Sequence, residues 1–255
     1  MKKLTALFLS LVLVLTCTAM ADTLVMGTNA AFPPYEFVGE NGALEGIDIE
    51  IAKAVCAEMG YDVEFSDQDF DTLVSDVQYG KLDFVMAGLT VTEERAQMVN
   101  FSDSYATGIQ VVIVKEDSPI TSVDDLFAEG ANHTIGVQLS TTGDLYATWD
   151  IEDMGLGTVN RYMTGNEAVM DLALGRIDCV IIDNEPAKSF VAATPGLKIL
   201  ESSYAVEDYA AAFNKDAADL LEKFNAALKK LTEDGTIPAI IEKYIPSASA
   251  ETPAA

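Results

Sequence analysis

The chain has 255 residues, with 41 acidic against 15 basic side chains and a formal net charge of −26. A surplus of that sign repels phosphate backbones and anionic membrane surfaces, so it excludes ordinary nucleic-acid binding. One histidine and three cysteines, which form no Cys/His cluster, give no metal signal, and no cofactor is expected.

Residues 1–21 read as a secretory signal. Lys2 and Lys3 are its basic end, residues 4–15 its apolar core, and Ala19-Met20-Ala21 its cleavage site. The product is expected in the periplasm or at the cell surface. Cys17 offers a lipid anchor, but Val14-Leu15-Thr16 lacks the small residue expected before such a cysteine, so soluble export is favoured. Cys56 and Cys179 sit among apolar residues and read as buried free thiols.

Residues 23–27 form a strand pattern. Pro33-Pro34 then forbids regular structure between Asn29 and Phe37, and Asn41-Gly42 marks a hairpin turn. A helix over 48–59, with Asp48 as its cap, stops at Gly60. A strand at 62–65, a helix at 71–79 stopped by Gly80, and a nearly continuous apolar strand at 82–87 follow. Thr92-Glu93-Glu94 opens another capped helix, with Arg95 directly after it.

The same order recurs. Strands at 134–137, 158–162 and 176–182 alternate with helices at 142–149 and 166–174. Gly80-Lys81-Leu82-Asp83 in the first half matches Gly175-Arg176-Ile177-Asp178 in the second, a weak repeat at equivalent places. Ser122 to Asp125 is a capping box. The apolar run 109–114 and the segment 205–213 read as two crossings between the halves. Helices at 217–231 and 238–244 close the fold, and 247–255 reads as a disordered tail. The predicted fold is α/β: lobe one from 22–110 and 208–246, lobe two from 111–207, joined by a two-segment hinge.

In open α/β sheets, ligands sit beyond the carboxyl ends of strands. The candidate loops are therefore 29–35 and 87–95 in one lobe, and 138–143 and 183–185 in the other. A lone arginine is more often a surface ion pair than a binding group. Arg95 differs because Ala87-Gly88-Leu89-Thr90 surrounds it with small residues, backbone N–H groups and a hydroxyl, which suits a bidentate grip on a carboxylate. Asp183, at the end of an apolar strand, is either a buried structural acid or a partner for a cation.

Residues 82–105, with strand, small residues, Thr90, Arg95 and then Phe101-Ser102-Asp103-Ser104-Tyr105, resemble a segment of the family 3 extracellular solute-binding proteins. These are polar amino-acid receptors of ABC importers, with a type II periplasmic binding protein-like fold. The resemblance extends over almost all of the chain after residue 22. It implies a non-enzymatic receptor, expected to be a monomer, that delivers a polar L-amino acid to a membrane permease. By that resemblance Arg95, Thr90 and the backbone at Gly88 and Thr142 hold the carboxylate, and Asp183 holds the ammonium. Phe32 and Phe70 wall the side chain, although a phenylalanine is ordinarily core. Asn29 and Gln138, with Thr141 nearby, reach its far end. Both are neutral amides, which puts glutamine or asparagine first and arginine or histidine second, with Glu36 able to change that balance. Ser140-Thr141-Thr142 stands where the family commonly has Gly-Thr-Thr. The other readings are an enzyme on this fold, such as a cyclohexadienyl dehydratase, and a chemosensory receptor. No Ser-His-Asp or Cys-His set supports the enzyme.

Overall fold

The computed structural model describes residues 22–201 and 203–246. The signal and anchor expected within 1–21, and the tail expected at 247–255, lie outside the described residues.

Among the described residues two large sheets form, one in each half, beside a small three-stranded one. The first runs Asp62–Asp67, Thr23–Thr28, Phe84–Val85, Ala212–Phe213, Asn100–Phe101. Its first three strands are parallel, and Ala212–Phe213 is antiparallel to both neighbours. The second runs Gly157–Tyr162, His133–Gln138, Cys179–Asp183, Ala106–Lys115, Leu197–Ile199. Again the first three are parallel and the fourth is reversed. Parallel strands need crossover helices, and those helices cover the sheet faces.

The repeat noted in the sequence is one device built twice. Gly80 and Gly175 take left-handed backbone, φ 70° and 69°, which ends a helix without the penalty a Cβ would bring. The next residue pairs with an acid five positions back: Lys81 with Asp76 at 2.6 Å, Arg176 with Asp171 at 2.7 Å. The aspartate two further on, Asp83 or Asp178, accepts a hydrogen bond from the neighbouring parallel strand, Thr23–Thr28 at Val25 N or His133–Gln138 at Thr134 N, each at 2.7 Å. Each clamp ties the strand after the glycine to that neighbour.

Two strands connect the lobes. Ala106–Lys115 and Ala205–Tyr209 pair antiparallel, with Gln110 opposite Ala205 and Ala106 opposite Tyr209. Tyr105 N then donates to Tyr209 O at 3.0 Å and Ser102 N to Ala211 O at 2.8 Å, so the pair continues toward the first sheet. The first lobe's core includes the rings of Phe84, Phe213 and Phe224, with centroids 5.1–5.7 Å apart. The second lobe's core is mainly aliphatic, with Val112, Ile135, Val137 and Ile181 at its centre.

Several sequence expectations change. The helix at 48 begins at Ile47 with Gly46 as cap, and Asp48 is wholly buried instead of capping. Its Oδ2 accepts from Gly88 N at 2.8 Å and from the Tyr105 hydroxyl at 2.7 Å, partners far along the chain. The proline loop is not wholly irregular: Ala31–Phe32 pairs with Glu36–Val38 around the prolines, and Leu44–Glu45 completes the hairpin. Asn184–Ala193 is a helix that sequence analysis did not identify, because Pro186 in its first turn resembles a loop signal. Both remaining cysteines are free and buried.

The helix Gly165–Ala173 starts one residue earlier than expected, under a capping box in which Thr164 accepts from Glu167 N and Glu167 takes Thr164 N at 3.1 Å. Thr164→Ala removes one of these bonds and is expected to cost about 1 kcal/mol. A lower urea midpoint with unchanged slope would show it.

Candidate functional site

The loops beyond the strand ends meet where the lobes face each other. A small cavity there is lined by Asn29, Phe32, Glu36, Phe70, Ala87, Gly88, Thr90, Arg95, Gln138, Thr141, Thr142 and Asp183. Eleven of the twelve sequence-predicted positions are thus brought together. The exception is Leu89. Its side chain is fully buried in the first lobe's core, near Leu73, Val85 and Val99, and only its carbonyl takes part locally, accepting from Ala210 N. Glu36 takes the remaining place in the lining. The enclosed space is about 10 Å³, room for roughly one water. The walls therefore touch, as the bonds from Gln138 to Asn29 and from Arg95 to Ser140 show.

Arg95 lies in the first turn of the helix Glu93–Met98, whose cap Thr92 accepts from Arg95 N. The side chain is 6% exposed. Nη1 donates to Thr90 O at 2.8 Å, and Nη2 reaches across the cleft to Ser140 O at 2.9 Å. The guanidinium lies 5.5 Å from the Phe70 ring centroid, a cation–π arrangement. Burial lowers its pKa to about 10, with nearby acids opposing, so it stays charged at neutral pH. Ser140 keeps a left-handed backbone, φ 63°, so the chain course that a glycine would favour persists with serine.

Gly88 is held at φ 52°, and a Cβ there would lie 2.7 Å from Phe32. Phe32 itself stacks on Tyr35 at 5.9 Å and forms one wall. Across the cleft Gln138 Nε2 donates to Asn29 Oδ1 at 3.0 Å, so the two amides face each other. Thr141 caps the helix Thr142–Ala147 by accepting from Asp144 N.

Asp183 ends the strand Cys179–Asp183 and is 6% exposed. The Tyr209 hydroxyl donates to its Oδ1 in a short contact, and Gln110 Nε2 donates to Oδ2 at 2.8 Å. Burial first, and then the charge of Glu207, raise its pKa to about 7, while the two hydrogen bonds oppose that rise. Glu36 is wholly buried, and neither oxygen meets hydrogen-bond geometry, although Asp48 lies close enough to weigh on its titration. Burial and the Asp48 charge push its carboxyl well above the usual range. Asp48 itself rises to about 6 through burial.

His133, the one histidine, begins the strand whose other end, Gln138, lines the cavity. Sequence analysis missed Gln110, Tyr209 and Glu207, which surround Asp183. The only local sign of the first was a lone polar residue in an otherwise apolar stretch, and Glu207, next to Asp208, carried none.

The family profile described as bacterial extracellular solute-binding proteins, family 3, matches residues 24–247. The chain belongs to this family. Among its relatives, the arginine-binding extracellular protein ArtP of Bacillus subtilis is 32% identical over 224 residues, covering 87% of this chain and 85% of ArtP. An ancestral arginine-binding protein, solved bound to arginine, is 40% identical with a TM-score of 0.82, covering 88% of this chain and 99% of that one. The same kind of ancestral protein, solved bound to glutamine, gives 39% and 0.79, covering 88% and 98%. This family 3 member therefore has the two-lobed α/β architecture of type II periplasmic binding proteins.

Proposed function

We propose that this protein is an extracytoplasmic receptor that captures an L-amino acid between its lobes, arginine foremost, and delivers it to the membrane permease of an ABC importer. Arg95 takes the carboxylate and Asp183 the ammonium. A guest held by both spans the two lobes, and that differential contact favours closure. The observation that carries the choice of arginine is Glu36, a fully buried acid in the cavity wall beside the buried Asp48 and without a cationic partner among the described residues. Two carboxyls buried side by side call for a positive charge, and a guanidinium brings one with several donors in a plane. Asn29 and Gln138, which put glutamine or asparagine first in the sequence reading, bond to each other across the cleft. Relatives named for arginine binding support the same choice, and the glutamine complex keeps glutamine as the second ligand. The receptor reading is favoured over an enzyme because the two charged anchors match the two ends of a zwitterion.

Calorimetry against the amino acids tests this. Arginine is expected to bind tightest; no amino acid binding tighter than millimolar would overturn it. Trp149, the single tryptophan, lies on a rim groove shared by Val91 and Glu93 of the first lobe and Tyr146 of the second, so its emission should change on closure. Glu36→Gln is expected to weaken arginine about tenfold to a hundredfold, the range for a lost hydrogen bond to a charged group, and to spare glutamine. Equal losses for both ligands would remove Glu36 from the recognition of the guanidinium.

A further inference from the structure

One carboxylate joins both lobes and both connecting strands. Glu207 lies in the middle of Ala205–Tyr209, opposite Gly108, and is 5% exposed. Its Oε2 accepts from Thr90 Oγ1 at 2.9 Å, Thr142 Oγ1 at 2.9 Å and Gln110 Nε2 at 3.2 Å. Thr90 belongs to the first lobe, Thr142 opens a helix of the second, and Gln110 stands on the other connecting strand. Oε1 has no partner in hydrogen-bond geometry, though the Tyr146 phenol is close enough to feel this charge.

A threonine hydroxyl has one proton and two lone pairs. Thr90 and Thr142 each give that proton to Glu207, and both line the cavity. What each oxygen can offer a guest is therefore an acceptor. An acceptor repels a carboxylate and suits an ammonium. The Thr90 hydroxyl is thus not available to donate to a carboxylate, as the sequence reading expected of it.

We infer that Glu207 is a positioning residue that fixes the Thr90 and Thr142 hydroxyls as acceptors for the ligand's ammonium and, by holding one from each lobe, makes that acceptor pair a property of the closed cleft. The inference rests on the amino-acid receptor reading. When the lobes part, a single carboxylate cannot hold both threonines. The pair forms only on closure, so the ammonium contributes to closure through it as well as through Asp183.

The test compares L-arginine with 5-guanidinopentanoate, which is arginine without its α-ammonium, by calorimetry on the parent and on Glu207→Gln. A neutral amide accepts more weakly, and its nitrogen cannot accept at all. Arginine affinity is expected to fall about tenfold in Glu207→Gln, with the analogue changing less than about twofold. In a Thr90→Val background the same step should shrink to about threefold or less, because the two residues act along one route. Glu207→Asp keeps the charge but withdraws it by one methylene; it should show the same selective loss, and it carries the comparison if the glutamine variant does not fold. Equal losses for arginine and the analogue, or an undiminished step in the Thr90→Val background, would overturn the inference and leave Glu207 a structural group. A parent that binds no amino acid would instead overturn the receptor reading, and that result comes before any variant is compared.

Discussion

Asp183→Asn is expected to weaken amino-acid binding by about a hundredfold or more while leaving the fold intact. The carboxylate is buried, with Tyr209 on one oxygen and Gln110 on the other. Asparagine keeps a carbonyl acceptor for Tyr209. Its new NH₂ would face the Gln110 amide, whose Oε1 has no partner, so that amide can turn and accept, giving up its longer bond to Glu207. The contact between residues 110 and 183 therefore closes again at the expense of one 3.2 Å bond. What does not return is the negative charge for the ligand's ammonium, and losing one partner of a buried charge pair costs about 3 kcal/mol or more. Calorimetry should show the loss for arginine and glutamine alike. An affinity within threefold of the parent would remove Asp183 from the site.

The same residue sets the pH dependence. With a pKa raised to about 7, Asp183 holds a proton at acid pH in the closed protein. The ammonium needs it ionised, so glutamine affinity is expected to fall about tenfold per pH unit below 7 and to level off above. Stability runs the opposite way. A carboxyl raised in the folded state stabilises that state at low pH, and the benefit is lost as pH rises through about 7. Binding of arginine should fall more steeply with acid than binding of glutamine, because Glu36 is also raised and must lose its proton before pairing with the guanidinium. Asp183→Asn should flatten the glutamine profile near pH 7.

The local devices were legible in the sequence because their partners are near. The Gly80 and Gly175 stops and the Ser122 to Asp125 capping box each close within a few residues. Most of the cavity wall was legible too, since α/β alternation tells which loops follow strand ends, although Phe70 and Glu36 lie outside those loops. What stayed hidden depends on partners far apart in sequence. Asp48 has the position of a cap, but Gly88 and Tyr105 claim it from 40 and 57 residues away. Glu207 meets Thr90 and Thr142 across separations of 117 and 65 residues. No periodicity announces such a meeting. Leu89 failed for a different reason: it lies within a contiguous motif, but its side chain turns into the core beneath the wall.

Arg95→Ala is the variant with the largest expected effect, a loss of about 3–5 kcal/mol, or roughly a hundredfold to several thousandfold in affinity. Three consequences combine. The carboxylate loses a planar, doubly donating partner, which no neighbouring side chain in the cavity can replace. Asp183 and Glu207 lose a nearby positive charge, since both act on the Arg95 guanidinium in the present arrangement. The lobes lose the bond from Nη2 to Ser140 O, so closure itself is weakened. Arg95→Lys separates these. A lysine keeps the charge but not the fork, and it is expected to recover only part of the affinity. Because the site is buried, added salt should change the parent's affinity little, unlike a surface pair. If the alanine variant still closed on arginine, read by Trp149 emission at ligand concentrations near the parent's Kd, the carboxylate would have to be held elsewhere. The opposing charges of Arg95 and Asp183 would then no longer explain why the two lobes come together.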